Sequence, residues 1–179
     1  MKKIFFAFFA LVLTLGISSV ETSAQYKSAK SKKDIVDTAV ATDSLSTLVA
    51  AVKAAGLVDT LKGAGPFTVF APANDAFAAL PAGTVDSLLL PENKAALTKV
   101  LTYHVVAGKI AAKDVAAAIK AGNGRAELTT VQGGKLVAMI EGSDVVLMDE
   151  NGGRSKVTAV DVMTSNGVVH LIDSVVMPK

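Results

Sequence analysis

The spacing of apolar residues changes about halfway along this chain, and the change marks two kinds of element. Between Asp34 and Gly122 the apolar positions recur at helical intervals. Leu45, Leu48, Val49 and Val52 follow the i, i+3, i+4, i+7 pattern of one helix face. Asp43 or Ser44 is placed to cap that helix, and Gly56 to end it. Glu92 to Thr102 repeats the form, with Pro91 at the entry and Leu97, Val100 and Leu101 facing inward. Lys113 to Ala121 is a third helix, stopped by Gly122. One strand, Phe67 to Phe70, interrupts these helices, and Asn74 or Asp75 is placed to cap a helix that follows it.

From Ala126 onward the pattern is that of strands. Leu128–Val131, Leu136–Ile140, Val145–Met148, Lys156–Val160 and Val168–Ile172 are short and rich in Val, Ile and Leu. Glycine-bearing turns separate them, which predicts an antiparallel meander. Asn166-Gly167 is predicted to form a two-residue hairpin turn with positive φ at Gly167. Helices grouped first and strands grouped last predict an α+β fold, with helices packed on an antiparallel sheet.

The first two dozen residues stand apart from this domain. Lys2 and Lys3 precede the apolar stretch Ile4–Ile17, and small residues lead out through Thr22-Ser23-Ala24. That order is the pattern of a secretory signal peptide, cleaved after Ala24. The apolar stretch is shorter than the ~20 residues of a membrane span. Residues 25–33 follow as a basic arm, with Lys27, Lys30, Lys32 and Lys33 among serines. Residues 34–179 then form a single domain. Removing Lys2, Lys3 and Glu21 with the leader leaves 16 basic and 15 acidic residues, a net charge of +1. A near-neutral domain does not suit nucleic acid, which calls for a basic face. Stable membrane insertion after cleavage is not expected either. The chain has no Cys, so an exported domain must be held by its core alone.

Two segments identify the chain further. One is Gly65-Pro66-Phe67-Thr68-Val69-Phe70-Ala71-Pro72-Ala73-Asn74-Asp75-Ala76-Phe77. The other runs from Ser165 through Asn166-Gly167-Val168-Val169-His170-Leu171-Ile172 to Pro178. Between them stands Leu101-Thr102-Tyr103-His104-Val105-Val106. Together these resemble the signature segments of the fasciclin (FAS1) domain, across Asp34 to Pro178. The resemblance implies a wedge of antiparallel strands with helices packed around it. It also implies display outside the cell and adhesion or matrix contact. In animal members, integrin contact is attributed to the Tyr-His segment and to an acidic-aliphatic motif before the last strand. These fall on Tyr103 and His104, and on Asp161 and Met163. Here Val162 replaces an isoleucine, and Ala159-Val160 stand where the animal motif has Glu-Pro. That departure weakens the implied integrin recognition.

Catalytic signatures are sparse. Gly-x-Ser-x-Gly, phosphate-loop and His-Glu-x-x-His motifs are absent from the sequence. His104 and His170, the only histidines, would need an acid such as Asp161 or Asp173 to make a zinc site. Backbone hydrogen bonding within strands is the simpler expectation for both. Tyr103 is either a contact residue or a core residue with its hydroxyl at the rim. Asp161 is either a partner contact or a turn cap. Asp149-Glu150-Asn151-Gly152-Gly153 reads as a hairpin turn.

The expectation is therefore a non-catalytic adhesion or protein-interaction module, without cofactor or metal. It would meet a cell-surface or matrix protein or polysaccharide through Tyr103, His104, Asp161 and Met163. It would be secreted or periplasmic. The alternative is a binding protein for a small hydrophobic ligand or a saccharide. N-terminal sequencing of the native protein is expected to begin near Gln25, and a retained Met1 in a cytoplasmic fraction would refute export.

Overall fold

The computed structural model describes residues 33–179. The leader at 1–24 and the arm residues 25–32 lie outside the described residues. Three helices come first: α1 (Ile35–Val40), α2 (Ser46–Ala55) and α3 (Val58–Lys62). After strand β1 (Phe67–Pro72) come α4 (Asn74–Ala78), α5 (Thr84–Leu89) and α6 (Lys94–Tyr103). Strand β2 (Val105–Ala107) and helix α7 (Ala112–Ala121) complete the first half. The second half is β3 (Arg125–Thr129), β4 (Lys135–Glu141), β5 (Asp144–Met148), β6 (Arg154–Met163) and β7 (Gly167–Ile172).

The three predicted helices are present, with shifted starts. A 3₁₀ turn over Asp43–Leu45 precedes α2, and another over Pro91–Asn93 precedes α6. Gly56 ends α2 at φ 73°, the left-handed conformation that glycine adopts without strain. The start of α2 is capped from far along the chain. Neither Asp43 nor Ser44 bonds its first amides. Instead Asn74 Oδ1 accepts the Thr47 amide at 3.0 Å, and Asn74 Nδ2 donates to Asp43 O at 3.0 Å. Asn74 is thus a helix cap, but for α2 and not for its own helix α4, whose own N-cap residue is Ala73.

The seven strands lie in the order β2-β1-β7-β6-β5-β4-β3. All neighbouring pairs are antiparallel except β1 and β7, which run parallel. Nearly a hundred residues separate these two strands, so no hairpin constrains their relative direction. The edge strands β2 and β3 approach each other. Val106 bridges Thr130, and the Val131 amide donates to Val105 O at 2.7 Å. The sheet therefore curls almost to closure, giving the α+β fold that the residue pattern predicts and the wedge that the resemblance implies, with one parallel pair in place of an all-antiparallel sheet.

Alternation along β1 divides the core in two. Val69 and Ala71 face the helical layer, where Leu48, Val52, Leu61 and Val169 pack. Phe70 faces the interior of the curled sheet, with Tyr103, Ile119, Leu136, Leu147 and Ile172.

The turn before β7 differs from expectation. Gly167 is not among the positive-φ glycines. Glycine is required there because Phe67 O lies 2.1 Å from the point a Cβ would occupy. Asn166 is a staple between the turn and the helical layer. Its Oδ1 accepts the Ile35 amide at 3.1 Å, and its Nδ2 donates to Leu61 O at 2.7 Å and Gly63 O at 3.1 Å. Asn166→Ala strands these half-buried backbone groups and is expected to cost about 2–3 kcal/mol. Urea melts of parent and variant check this, and an unchanged midpoint would refute the staple.

Candidate binding face

Tyr103 closes α6 and is 0% exposed. Its hydroxyl donates to Lys135 O at 2.7 Å and accepts the Glu150 amide at 3.3 Å. It thereby ties α6 to the start of β4 and to the β5–β6 turn. Burial raises its pKa above the usual tyrosine value. The turn itself is tight: Asp149 Oδ1 accepts the Asn151 and Gly153 amides at 2.9 and 2.7 Å. Asp149 Oδ2 accepts the Met177 amide at 2.9 Å and holds the C-terminal segment.

His104 is 2% exposed and sits at the C-cap of α6, not in a strand. Its Nδ1 lies 2.8 Å from Val100 O, and its Nε2 faces the Val176 amide at 3.3 Å. Those partners require a donor at Nδ1 and an acceptor at Nε2, hence a neutral ring. Burial lowers its pKa from 6.5 to about 4. His170 lies in β7 and also turns inward. Its Nε2 is 3.0 Å from Ile110 O, its Nδ1 accepts the Asp161 amide at 3.3 Å, and its ring stacks on Phe70. Each ring nitrogen of both histidines therefore faces a backbone group, as expected, and the two rings serve different parts of the fold.

Asp161 and Met163 lie together, away from Tyr103 in role and exposure. The sequence places Asp161 after a strand, but β6 continues through it to Met163. The β6–β7 register shifts between Val157 and Ala159 and again between Ala159 and Val162. Asp161 occupies this irregular stretch at φ 58°, a left-handed conformation that Asp tolerates better than most residues. The bulge turns its carboxylate toward α7. Asp161 Oδ1 accepts the amide of Ala112, the first residue of α7, at 2.8 Å. The N-cap residue Ala111 has no side-chain oxygen, so Asp161 supplies from another strand the acceptor that the helix start lacks. Asp161 is a cap, but for a distant helix and not for a local turn.

The same stretch carries exposed apolar surface. Val160 is 49% exposed and Met163 54% exposed. β5 pairs with β6 only from Arg154 to Lys156. Beyond Lys156, among the described residues, β6 has a strand partner on the β7 side alone. Val160 and this open edge escape sequence reading, because Lys156–Val160 reads as an ordinary inner strand. The longer run of alternating residues through Met163 is the one signal in the sequence that β6 outreaches β5.

A family model described as the Fasciclin domain matches residues 43–178. The chain belongs to the fasciclin family. Protein sll1483 of Synechocystis is 46% identical over 170 residues, covering 92% of this chain and 87% of that protein. The cell surface glycolipoprotein MPB83 of Mycobacterium bovis is 38% identical over 139 residues, covering 75% of this chain and 56% of that protein. Among solved structures, a FAS1 domain pair from the insect cell adhesion molecule Fasciclin I superposes with a TM-score of 0.58. That match is 24% identical and covers 74% of this chain and 45% of that one, and it speaks for the fold. Within this fasciclin domain the Tyr-His segment lies inside the fold, Met163 lies on its surface, and Asp161 is half-buried between them.

The neutral His104 makes stability depend on acid. In the unfolded chain it titrates at 6.5, in the folded chain at about 4. Its contribution is complete above pH 6.5. Below that the unfolded state takes up the proton and the folded state does not, so stability falls until about pH 4. The loss over this window is about 3 kcal/mol. Melts from pH 7 to 4 should show it, and His104→Gln should flatten the profile. Parallel profiles for parent and variant would refute the assignment.

Proposed function

We propose that this protein is an exported, non-catalytic fasciclin-domain module that binds a cell-surface or matrix partner, protein or polysaccharide. The observation that carries the reading is the outer stretch of β6. It joins an open strand edge, two exposed apolar side chains and a carboxylate fixed by helix α7. An open edge with apolar neighbours is a surface that extended or flat partners recognise. Asp161 and Met163 form the contact, with Val160 beside them. Tyr103 and His104 act through the framework, because their side chains are enclosed.

Export is supported by the leader pattern and by relatives such as MPB83, whose name places that protein at the cell surface. No helix among the described residues is long and apolar enough to cross a membrane. The titratable groups of the site are engaged in capping and backbone bonding, which supports binding over turnover.

The test compares Met163→Ala and Val160→Ala for stability and for retention on the host envelope. Both residues are exposed, so melts should stay within about 0.5 kcal/mol of the parent. Retention should fall about tenfold or more if the stretch is a hot spot. Asp161→Ala removes the cap of α7 and should cost about 1 kcal/mol. Its effect on retention is therefore compared with Asp161→Asn, which keeps both the acceptor oxygen and the tolerance of positive φ. Parental retention by the Met163 and Val160 variants would refute the face.

A further inference from the structure

The strand registers gather several chain segments at one end of the sheet. Phe67 of β1 pairs with Gly167 of β7 and with Ala107 of β2. The start of β1, the exit from β2 and the β6–β7 turn therefore lie together. From β2 the chain crosses this end to reach α7. On the way the Ile110 amide donates to Thr68 Oγ1 at 2.9 Å, and Ile110 O lies 3.0 Å from His170 Nε2. The Ala112 amide then donates to Asp161 Oδ1 at 2.8 Å. This strap runs from β1 past β7 to β6, and it brings Lys109 and Lys113 to the outer stretch of β6. Lys33 arrives by another route: its carbonyl accepts the amide of Ser165, two residues beyond Met163, at 3.0 Å.

Three lysines thus flank the open edge. All three are exposed, and none takes part in the ion pairs among the described residues. The nearby acids are engaged. Asp161 holds the strap at the start of α7, Asp114 Oδ2 accepts the Ala111 amide at 3.0 Å, and Asp34 and Asp37 share Lys62. The sequence adds more positive charge, because Lys27, Lys30 and Lys32 join the domain at Lys33 and residues 25–33 contain no acid. Such a surface complements a negative partner.

The edge narrows the chemistry further. A row of N–H and C=O groups without a strand partner is matched by another extended main chain. A lipid surface does not match it, since hydrocarbon leaves those groups unpaired. A sugar chain offers hydroxyls, but no alternating row of N–H and C=O. We infer that the outer stretch of β6 takes up an extended, acidic peptide segment of a partner protein as an added strand. Its main chain lies along the open edge, its apolar side chains meet Val160 and Met163, and its carboxylates face Lys33, Lys109 and Lys113. This rests on the contact face proposed above and names the partner of that face.

The probe is a short dye-labelled peptide of alternating glutamate and valine, titrated with the purified protein and followed by fluorescence anisotropy. It should saturate at one peptide per chain and bind about tenfold or more tightly than its lysine–valine counterpart. Added salt should weaken it. Lys109→Gln combined with Lys113→Gln should weaken it about fivefold and leave the melting point unchanged. N-methylation of alternate peptide residues removes the donors along one of its two edges. In one phase it should abolish binding, and in the other spare it. Absence of saturable binding, equal binding of the two peptides, or binding that survives methylation in both phases would overturn the proposal. So would a protein that binds oligogalacturonate and ignores the peptide, which would give the face to an anionic sugar chain. A dimer that Met163→Asp dissolves and the peptide does not would give the edge to a second copy and likewise overturn it. Retention on the host envelope separates this inference from the reading beneath it. If Met163→Ala lowers retention and the double lysine variant does not, the face stands and the acidic partner falls. If Met163→Ala and Val160→Ala are both retained like the parent, the face itself falls, and the inference with it.

Discussion

The seam between β1 and β7 is the constraint on which the rest of the molecule depends. It is the one parallel pairing in the sheet, and it joins the first helices of the chain to its last strand. Two residues make it possible. Gly167 lets the β7 backbone approach Phe67 O more closely than any side chain would permit. Asn166 then reaches the backbone of α1, the end of α3 and the turn after it. Without this seam the helical layer and the meander would be two fragments, each with an unburied apolar face.

A second device recurs across the fold: distant side chains cap helices that lack caps of their own. Asn74 serves α2 and Asp161 serves α7. Each bond ties a helix start to an element far along the chain, so capping and tertiary fixing are one interaction. The C-terminal segment is held similarly, by Asp149 and by His104. Polar residues here connect layers that apolar packing alone would leave free to slide. The same economy explains why Tyr103 and His104 lie inside the fold. Their polar atoms complete backbone bonding: His104 serves Val100 O at the end of α6 and the Val176 amide, and the Tyr103 hydroxyl serves Lys135 O and the Glu150 amide.

Much of this architecture is legible in the sequence where periodicity is strong. The stripe Leu48-Val52, the run Leu97-Leu101 and the strands after Ala126 each declare their element. The short pieces do not. β2, α3, α4 and α5 are three to six residues long, too short for a period to register. The parallel seam is invisible because pairing direction depends on what lies between two strands, not on the strands themselves. The caps fail for a related reason. Asn74 and Asp161 carry the right chemistry, but local reading assigns them to the nearest helix or turn. The family segments mark Tyr103, His104, Asp161 and Met163 as a group, yet resemblance carries no exposure. Only the fold separates the enclosed Tyr103 and His104 from the half-buried Asp161 and the exposed Met163.

An apolar space of about 60 Å³ lies between helices α1, α2 and α3 and strands β1, β2 and β7, and half of its lining is Val and Ala, with Leu48, Leu57, Leu61, Leu101 and Phe67 among the rest. Valine is stiff at χ1 and cannot swing to fill a neighbouring gap, and alanine has nothing to swing. Close packing is the rule in protein interiors, and unfilled volume lowers stability. The surrounding elements cannot collapse onto the gap, because the Asn166 staple fixes α1 and α3 while Asn74 fixes α2. A rigid frame, with valine and alanine supplying half of the lining, keeps this space open. In the curled half of the sheet, where Phe70, Tyr103 and Leu residues meet, the core is filled by large side chains, and the space beside Phe70 and Val115 is about 10 Å³.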